Sequence, residues 1–470
     1  MAPQTPAYLG MKAWPRTDVG RPQATVAPLM LQLRRYGLWL TVALIFSLVA
    51  LPNYAEIRPG GLPNISPARW LRFVLLGMTL ILLLIKPFRI ALTNFSGDET
   101  RRLWRMVAVF FGWYFVLTLF LSPSFGFFIN DLKNNILPPW FAFAFAAIYI
   151  RREENFMWLF RAMVLAAIVV LCVMPIEFVL KRNVFEGFIS SEGWSQVGLV
   201  DQTRDGVYRV KATFEHPLTC AQFLITVGLA FFTKGLFERA RGRMLWMVLG
   251  VLTLGGLIFT FTRSSMVLGA GFVGMVLVVK FMAWTSKFRN RLMATILRVQ
   301  LLWLPFILMG MALWIFTLFR GRTSEEALSS DARISMLTRG IPAIFESPLV
   351  GHGSGEGAKI AGFKGYFGAY FLDNIYLAYA LDYGLIYCVL FIAILGLAIW
   401  RLCPTYEELK KPQSHTGIRA GMTAALTASA IMLLVHASPG LNEFIFGLIG
   451  ASLCIQGRQF KLSHVPRRRL

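Results

Sequence analysis

Long apolar blocks set the limits on what this chain can become. They recur along the sequence in runs of roughly 15–27 residues, each long enough to cross a bilayer as a helix. The runs neither alternate nor follow a 3.6-residue stripe, so they lack a polar face for water. The chain is 56% hydrophobic and holds 40 Phe in 470 residues, which excludes a soluble domain. The pattern predicts an all-α polytopic membrane bundle of about twelve spans, at 36–51, 70–85, 105–121, 139–150, 156–179, 217–236, 244–262, 264–283, 299–318, 374–400, 419–437 and 444–457. This membrane domain, 36–458, is flanked by basic tails at 1–35 and 459–470. The first is polar and Pro-containing, without a signal-peptide layout, and reads as a disordered cytosolic segment.

Lys and Arg concentrate in the segments on the same side as the two tails, so the positive-inside rule places both termini in the cytosol. The net charge of +23 then faces anionic lipid at the inner surface. No basic run is interleaved with stacking aromatics, so nucleic acid is not an expected partner. The five cysteines fall in spans or on the cytosolic side, and no Cys/His metal spacing is present.

Two connections on the other side, about 180–216 and 319–373, are much longer than the rest, and long loops on a compact bundle usually carry function. The first ends in "YRVKATFEHPLTCAQFL", with Arg209, Lys211 and His216 just before a helix that Pro217 opens. A tight hairpin, "FTFTRSSMVLGAG", holds Arg263. The second long loop carries Arg333, Arg339 and the glycine cluster Gly351–Gly357, with His352 inside it. That cluster lacks the strand of a dinucleotide fold and the GxxxxGK[ST] of a phosphate loop, so it reads as a flexible or close-packed turn. "FLDNIYLAYALDYGLIY" then puts Asp373 and Asn374 at a helix start and Asp382 inside the apolar run, where a carboxylate needs a reason. Arginine suits phosphate because its planar fork donates two parallel bonds and stays charged. A carboxylate at the lip of a neighbouring helix can take a proton from an attacking hydroxyl. Together these residues suggest transfer of a phosphate-activated group to an alcohol at the outer membrane face.

Three segments carry a family resemblance. "RVKATFEHP" is similar to an Arg-x-x-Gly-Thr-Phe-x-x-Pro motif, with Ala212 in place of glycine. "FTRSSMVLG" is similar to a Thr-x-Ser-Arg-x-x-x-x-Gly hairpin, with Thr262 where serine is common. "RISMLTRGIPAIFESPLVGHGSG" followed by "DNIYLAYALDYGLI" is similar to an Arg…Pro-Leu-x-Gly-x-Gly loop leading into a His/Asp-Asn-x-Tyr-Leu…acidic-x-Gly helix. In this order they resemble the O-antigen ligase/polymerase (Wzy-type) family of bacterial inner-membrane glycosyltransferases.

The resemblance implies a donor glycan on polyprenyl (undecaprenyl) pyrophosphate and an acceptor that is another lipid-linked repeat unit. It implies no metal and no cofactor, with a flippase and a chain-length regulator as partners beside membrane lipid. Arg209 and Arg263 would grip the pyrophosphate, and Arg333 would bind phosphate or sugar or shape the loop. Asp373 would be the base, oriented by Asn374, with Tyr376 seating the helix. The ligase members carry histidine where Asp373 stands, which favours a polymerase. Nine residues on a helix put Asp382 about 13 Å from Asp373 and on the opposite face, so it is expected to pair with a basic or hydroxyl group inside the bundle. His216 and His352 are supporting positions, each with a simpler reading as a cap or a loop hydrogen bond. The alternatives are a ligase of the same family and a transporter or flippase for lipid-linked glycan. The last predicts broken or charged helices near the midplane and repeated halves.

Overall fold

In lipid a backbone must satisfy its own hydrogen bonds, and apolar runs do so as helices. The computed structural model describes residues 26–52, 66–85, 98–150, 153–186, 203–204, 206–238, 242–286, 288, 291–320, 324–364, 370–412, 415–436 and 439–453. The chain begins with α1 (Val26–Ala50), α2 (Pro67–Leu84) and α3 (Asp98–Leu121). Then come α4 (Phe125–Asp131), a π-helical segment (Leu132–Ile136), α5 (Leu137–Tyr149) and α6 (Glu153–Leu180). A two-residue hairpin, β1 (Thr203–Arg204) with β2 (Val207–Tyr208), precedes α7 (Pro217–Phe237), α8 (Arg243–Gly255), α9 (Leu257–Thr260) and α10 (Arg263–Thr285). Next are α11 (Arg291–Leu301), α12 (Leu304–Arg320), α13 (Ser324–Glu346) and α14 (Glu356–Ala361). A second hairpin, β3 (Phe363–Lys364) with β4 (Tyr370–Phe371), leads into α15 (Ile375–Leu402), α16 (Tyr406–Lys410), α17 (Thr416–Met432) and α18 (Pro439–Ser452).

Every residue of α7 is buried, so this helix is the axis of the bundle. It packs on α8 and α17. A Cβ on Gly250 would lie 2.5 Å from the Phe232 backbone nitrogen, so the small residue is what lets α8 approach so closely. A second packing centre joins α3, α15 and α18 through aromatic rings: Phe110 stacks on Tyr387 at 4.2 Å, and both Phe110 and Phe391 meet Phe446. By contrast, little of Leu292–Ile315 is buried beyond Ala294 and Pro305, and Trp303, Phe306 and Trp314 point outward. Such a surface suits lipid rather than water.

Among the described residues, nine helices are long and apolar enough to cross a membrane, and the protein is a multi-pass helical bundle. The expected spans 139–150, 419–437 and 444–457 are helices of 13, 17 and 14 residues. The first helix starts at Val26, ten residues ahead of the expected boundary, while 1–25 and 459–470 lie outside the described residues. The expected span 244–262 divides at Gly256 into α8 and α9. The long connection 319–373 is largely structured: it contains the whole 23-residue α13, then α14 and the second hairpin.

Candidate functional site

The site begins where α15 starts. Asn374 has extended backbone, and its side-chain oxygen accepts from the amides of Tyr376 at 3.0 Å and Leu377 at 3.1 Å. Asn374 is therefore the cap of α15. The Ile375 amide donates to the Leu433 carbonyl, and the Tyr376 hydroxyl donates to the Ala430 carbonyl at 2.7 Å. These bonds seat the helix start on α17, as expected of Tyr376. Relieved of capping, Asp373 turns to α13, where Oδ2 lies 3.5 Å from a terminal nitrogen of Arg333. Burial pushes the Asp373 carboxyl above the usual carboxylate range, and the Arg333 charge draws it part of the way back. The Arg333 Nε is buried without a hydrogen-bond partner.

A second set of cations comes from the segment before α7. Glu177, fully buried near the end of α6, accepts from the Tyr208 hydroxyl at 2.9 Å and from the amides of Lys211 and Ala212 at 3.1 and 2.8 Å. One carboxylate thus folds the segment around itself. The turn takes Ala212 to a φ of 50°, a left-handed conformation that favours glycine. Next to it, the Val210 amide donates to the Phe259 carbonyl and the Arg209 Nε donates to the Thr260 carbonyl at 3.4 Å. Arg209 therefore lies against the turn that joins α9 to α10, and Arg263 opens α10 just beyond it.

His216 caps α7, its Nδ1 accepting from the Leu218 amide, which bears out its simpler reading. Burial is the main cause that holds its pKa well below the ordinary histidine value, followed by the neighbouring His436, Arg209 and Lys211. Its ring stacks on His436 at 5.5 Å, and the His436 Nε2 lies 3.0 Å from the Thr219 hydroxyl. His436 is within electrostatic reach of both Arg209 and Arg333. The fold thereby brings Arg209 and Lys211 within electrostatic reach of His216, and Arg209 and Arg333 within reach of His436, with Asp373 paired to Arg333, residues up to 164 apart in the chain.

Asp382 and His352 lie elsewhere. Helix α15 is interrupted at Gly384, whose φ of 83° and ψ of 169° lie outside the helical range. The break frees the carbonyls of Leu381 and Asp382 and the amide of Leu385, and the glycine loop takes all three. The amides of His352 and Gly353 donate to Leu381 and Asp382, and Leu385 donates to Pro348. Asp382 Oδ1 accepts from the Gly357 amide at 2.7 Å. The expected basic or hydroxyl partner is thus corrected to a backbone amide, because the loop packs against the break itself. His352 Nε2 bonds the Ala343 carbonyl at 2.9 Å and ties the loop to α13. The Gly351–Gly357 cluster is a close-packed turn.

Sequence reasoning missed Glu177, Glu215 and His436. Glu177 and His436 had a usable signal, an ionisable residue inside or closing an apolar run. Glu215, beside His216, is raised by burial and drawn down by Lys211. Among the described residues, no three His, Cys, Asp or Glu side chains gather as a metal set. Fold and site define a multi-pass α-helical membrane protein with a cationic cluster beside one ionisable carboxylate at a helix start. The chain matches no family model and no curated protein.

Proposed function

We propose that this protein is a bacterial inner-membrane polysaccharide polymerase of the O-antigen ligase/polymerase type. It moves a glycan from polyprenyl (undecaprenyl) pyrophosphate to a sugar hydroxyl of another lipid-linked repeat unit. In this reading the chain crosses the membrane twelve times with both termini cytosolic. The Arg209–Arg333–Asp373 cluster is external, and a flippase and a chain-length regulator supply and meter the substrate. The acceptor oxygen forms a bond to the anomeric carbon, the bond from that carbon to the pyrophosphate oxygen breaks, and the electron pair leaves with pyrophosphate. The hydroxyl proton goes to the Asp373 carboxylate. Arg209 and Arg263 hold the departing phosphates by charge-assisted bonds.

The observation that carries this reading is the Arg333–Asp373 pair set in the same charged neighbourhood as Arg209 and His216. It unites an anion-binding group with a base whose proton affinity burial has raised. Backbone conformation supports the resemblance as well. Ala212 stands where the motif has glycine, and Gly384 closes the acidic-x-Gly pattern; both have positive φ.

The test is reconstitution in proteoliposomes with the lipid-linked repeat unit. Chain elongation with release of one polyprenyl pyrophosphate per bond is expected. Translocation without new glycosidic bonds would instead support the flippase reading, which the interruption of α15 beside Asp382 favours. Transfer to lipid A core without elongation would support a ligase.

A further inference from the structure

The α15 start borders a second feature, an open cavity of about 260 Å³ between α15, α3, the π-helical segment and α18. Its character is opposite to that of the cationic cluster. Tyr379, Tyr383 and Tyr387, four residues apart across the break at Gly384, present a wall of rings. Tyr379 and Tyr383 each stand about 5 Å from Tyr387, so the rings hold one another in place. Tyr114 extends the wall, and the Tyr383 hydroxyl lies 3.0 Å from that of Tyr114 and 2.9 Å from that of Ser354. Asn134, Asn135, Ser354, Asp382, Asn442 and Glu443 supply the rest of the polar lining.

Two acceptors there lack hydrogen-bond partners. Asn442 donates through Nδ2 to the Tyr379 hydroxyl, but its Oδ1 is buried and unpaired. Glu443 turns Oε1 toward Arg72 at 3.5 Å, and its Oε2 is buried and unpaired. A buried acceptor left unpaired is destabilising, so donors from a ligand are the natural complement. Carboxylates repel phosphate, so the pyrophosphate belongs on the cationic side. A sugar ring meets both demands: its C–H face packs on aromatic rings and its hydroxyls donate to amide and carboxylate oxygens.

We infer that this cavity is a binding site for a neutral sugar of the acceptor glycan, separate from the arginine cluster that takes the donor's pyrophosphate. The inference rests on the transfer reading above for the word acceptor, although the site's chemistry is that of a sugar site in any case. The cavity reaches Ile375, two residues from Asp373, so a glycan lying on the tyrosines leads to the helix start where the base stands.

The experiment uses the full-length protein in detergent and the repeat-unit oligosaccharide of the producing cell, freed from its lipid by mild acid. Calorimetric titration should show saturable binding to wild type. Asn442→Ala, which removes the unpaired acceptor, and Ala378→Phe, which fills the cavity, should each weaken binding at least tenfold with melting temperature preserved. Lys410→Gln, on α16 and outside the cavity lining, should leave it within twofold. Absence of saturable binding to wild type, or unchanged binding in both cavity variants, overturns the inference. Elongation by wild type in proteoliposomes is scored separately: its failure rejects the transfer reading whatever the oligosaccharide does.

Discussion

Asp373 Oδ2 lies 3.5 Å from a terminal nitrogen of Arg333, linking the start of α15 to the middle of α13. The pair sets the protonation of the proposed base. Asp373→Asn keeps the cap and the helix but cannot take a proton, so elongation should fall about 10²–10⁴-fold, with single lipid-linked repeat units accumulating. Asp373→His should recover part of the activity. In wild type, burial raises the Asp373 pKa and Arg333 opposes the rise, so the rate should fall as pH drops through a value above the ordinary carboxylate range. Arg333→Gln removes the opposing charge and should move that acid limb upward. An unchanged pH profile in Arg333→Gln would separate the pair from the chemistry.

Cap and base are neighbouring residues, so they can be tested apart. Asn374→Ala removes the acceptor of two backbone bonds and should cost about 1 kcal/mol of stability, read as a lower melting temperature. Asn374→Asp should retain most of it. Asp373→Asn should leave the melting temperature close to wild type, because Asp373 makes no cap bond.

Backbone conformation makes two further substitutions diagnostic. A Cβ at Gly384 would stand 2.3 Å from the Leu349 carbonyl oxygen at a φ of 83°, so Gly384→Ala should destabilise by more than about 2 kcal/mol and expose the glycine loop to protease. Ala212→Gly should stay within about 1 kcal/mol of wild type, since relief of the left-handed strain offsets the lost buried methyl. Ala212→Val, β-branched at the same φ, should be poorly folded.

Arg209 and Arg263 are each expected to make bonds to phosphate worth roughly 1.5–3 kcal/mol. Arg209→Lys and Arg263→Lys keep the charge and lose the fork, so each should lower the elongation rate at least about tenfold at normal protein abundance. Wild-type polymer levels in both lysine variants would remove the bidentate role.

Orientation can be read directly from two exposed positions. Lys359 on α14 and Glu407 on α16 have side chains 61% and 76% exposed, so both are open to reagent. Lys359→Cys and Glu407→Cys, each in a variant free of other cysteines, should label with an impermeant thiol reagent from opposite sides, Lys359→Cys from outside. Labelling from the same side would remove the charge-based topology and the external placement of the cluster.

Helix identity was legible in the sequence because it depends on local composition: apolar runs of spanning length have no competing structure in lipid. Pro217 marked the start of α7 for the same reason, since its ring suits the first helical position and little else in a helix. The motif residues Arg209, Arg333 and Asp373 could be picked out by type and place. Their proximity could not, because it depends on Glu177 gathering the amides of one segment and on Asn374 taking the cap and leaving Asp373 to Arg333. The interruption of α15 was hidden for a related reason. Glycine in a spanning helix is commonplace, and only the loop Pro348–Gly353 packed against Leu381–Leu385 makes the break at Gly384 affordable, by bonding the backbone groups it frees. Chain composition decided which segments are helices; long-range hydrogen bonds decided which of their ends meet.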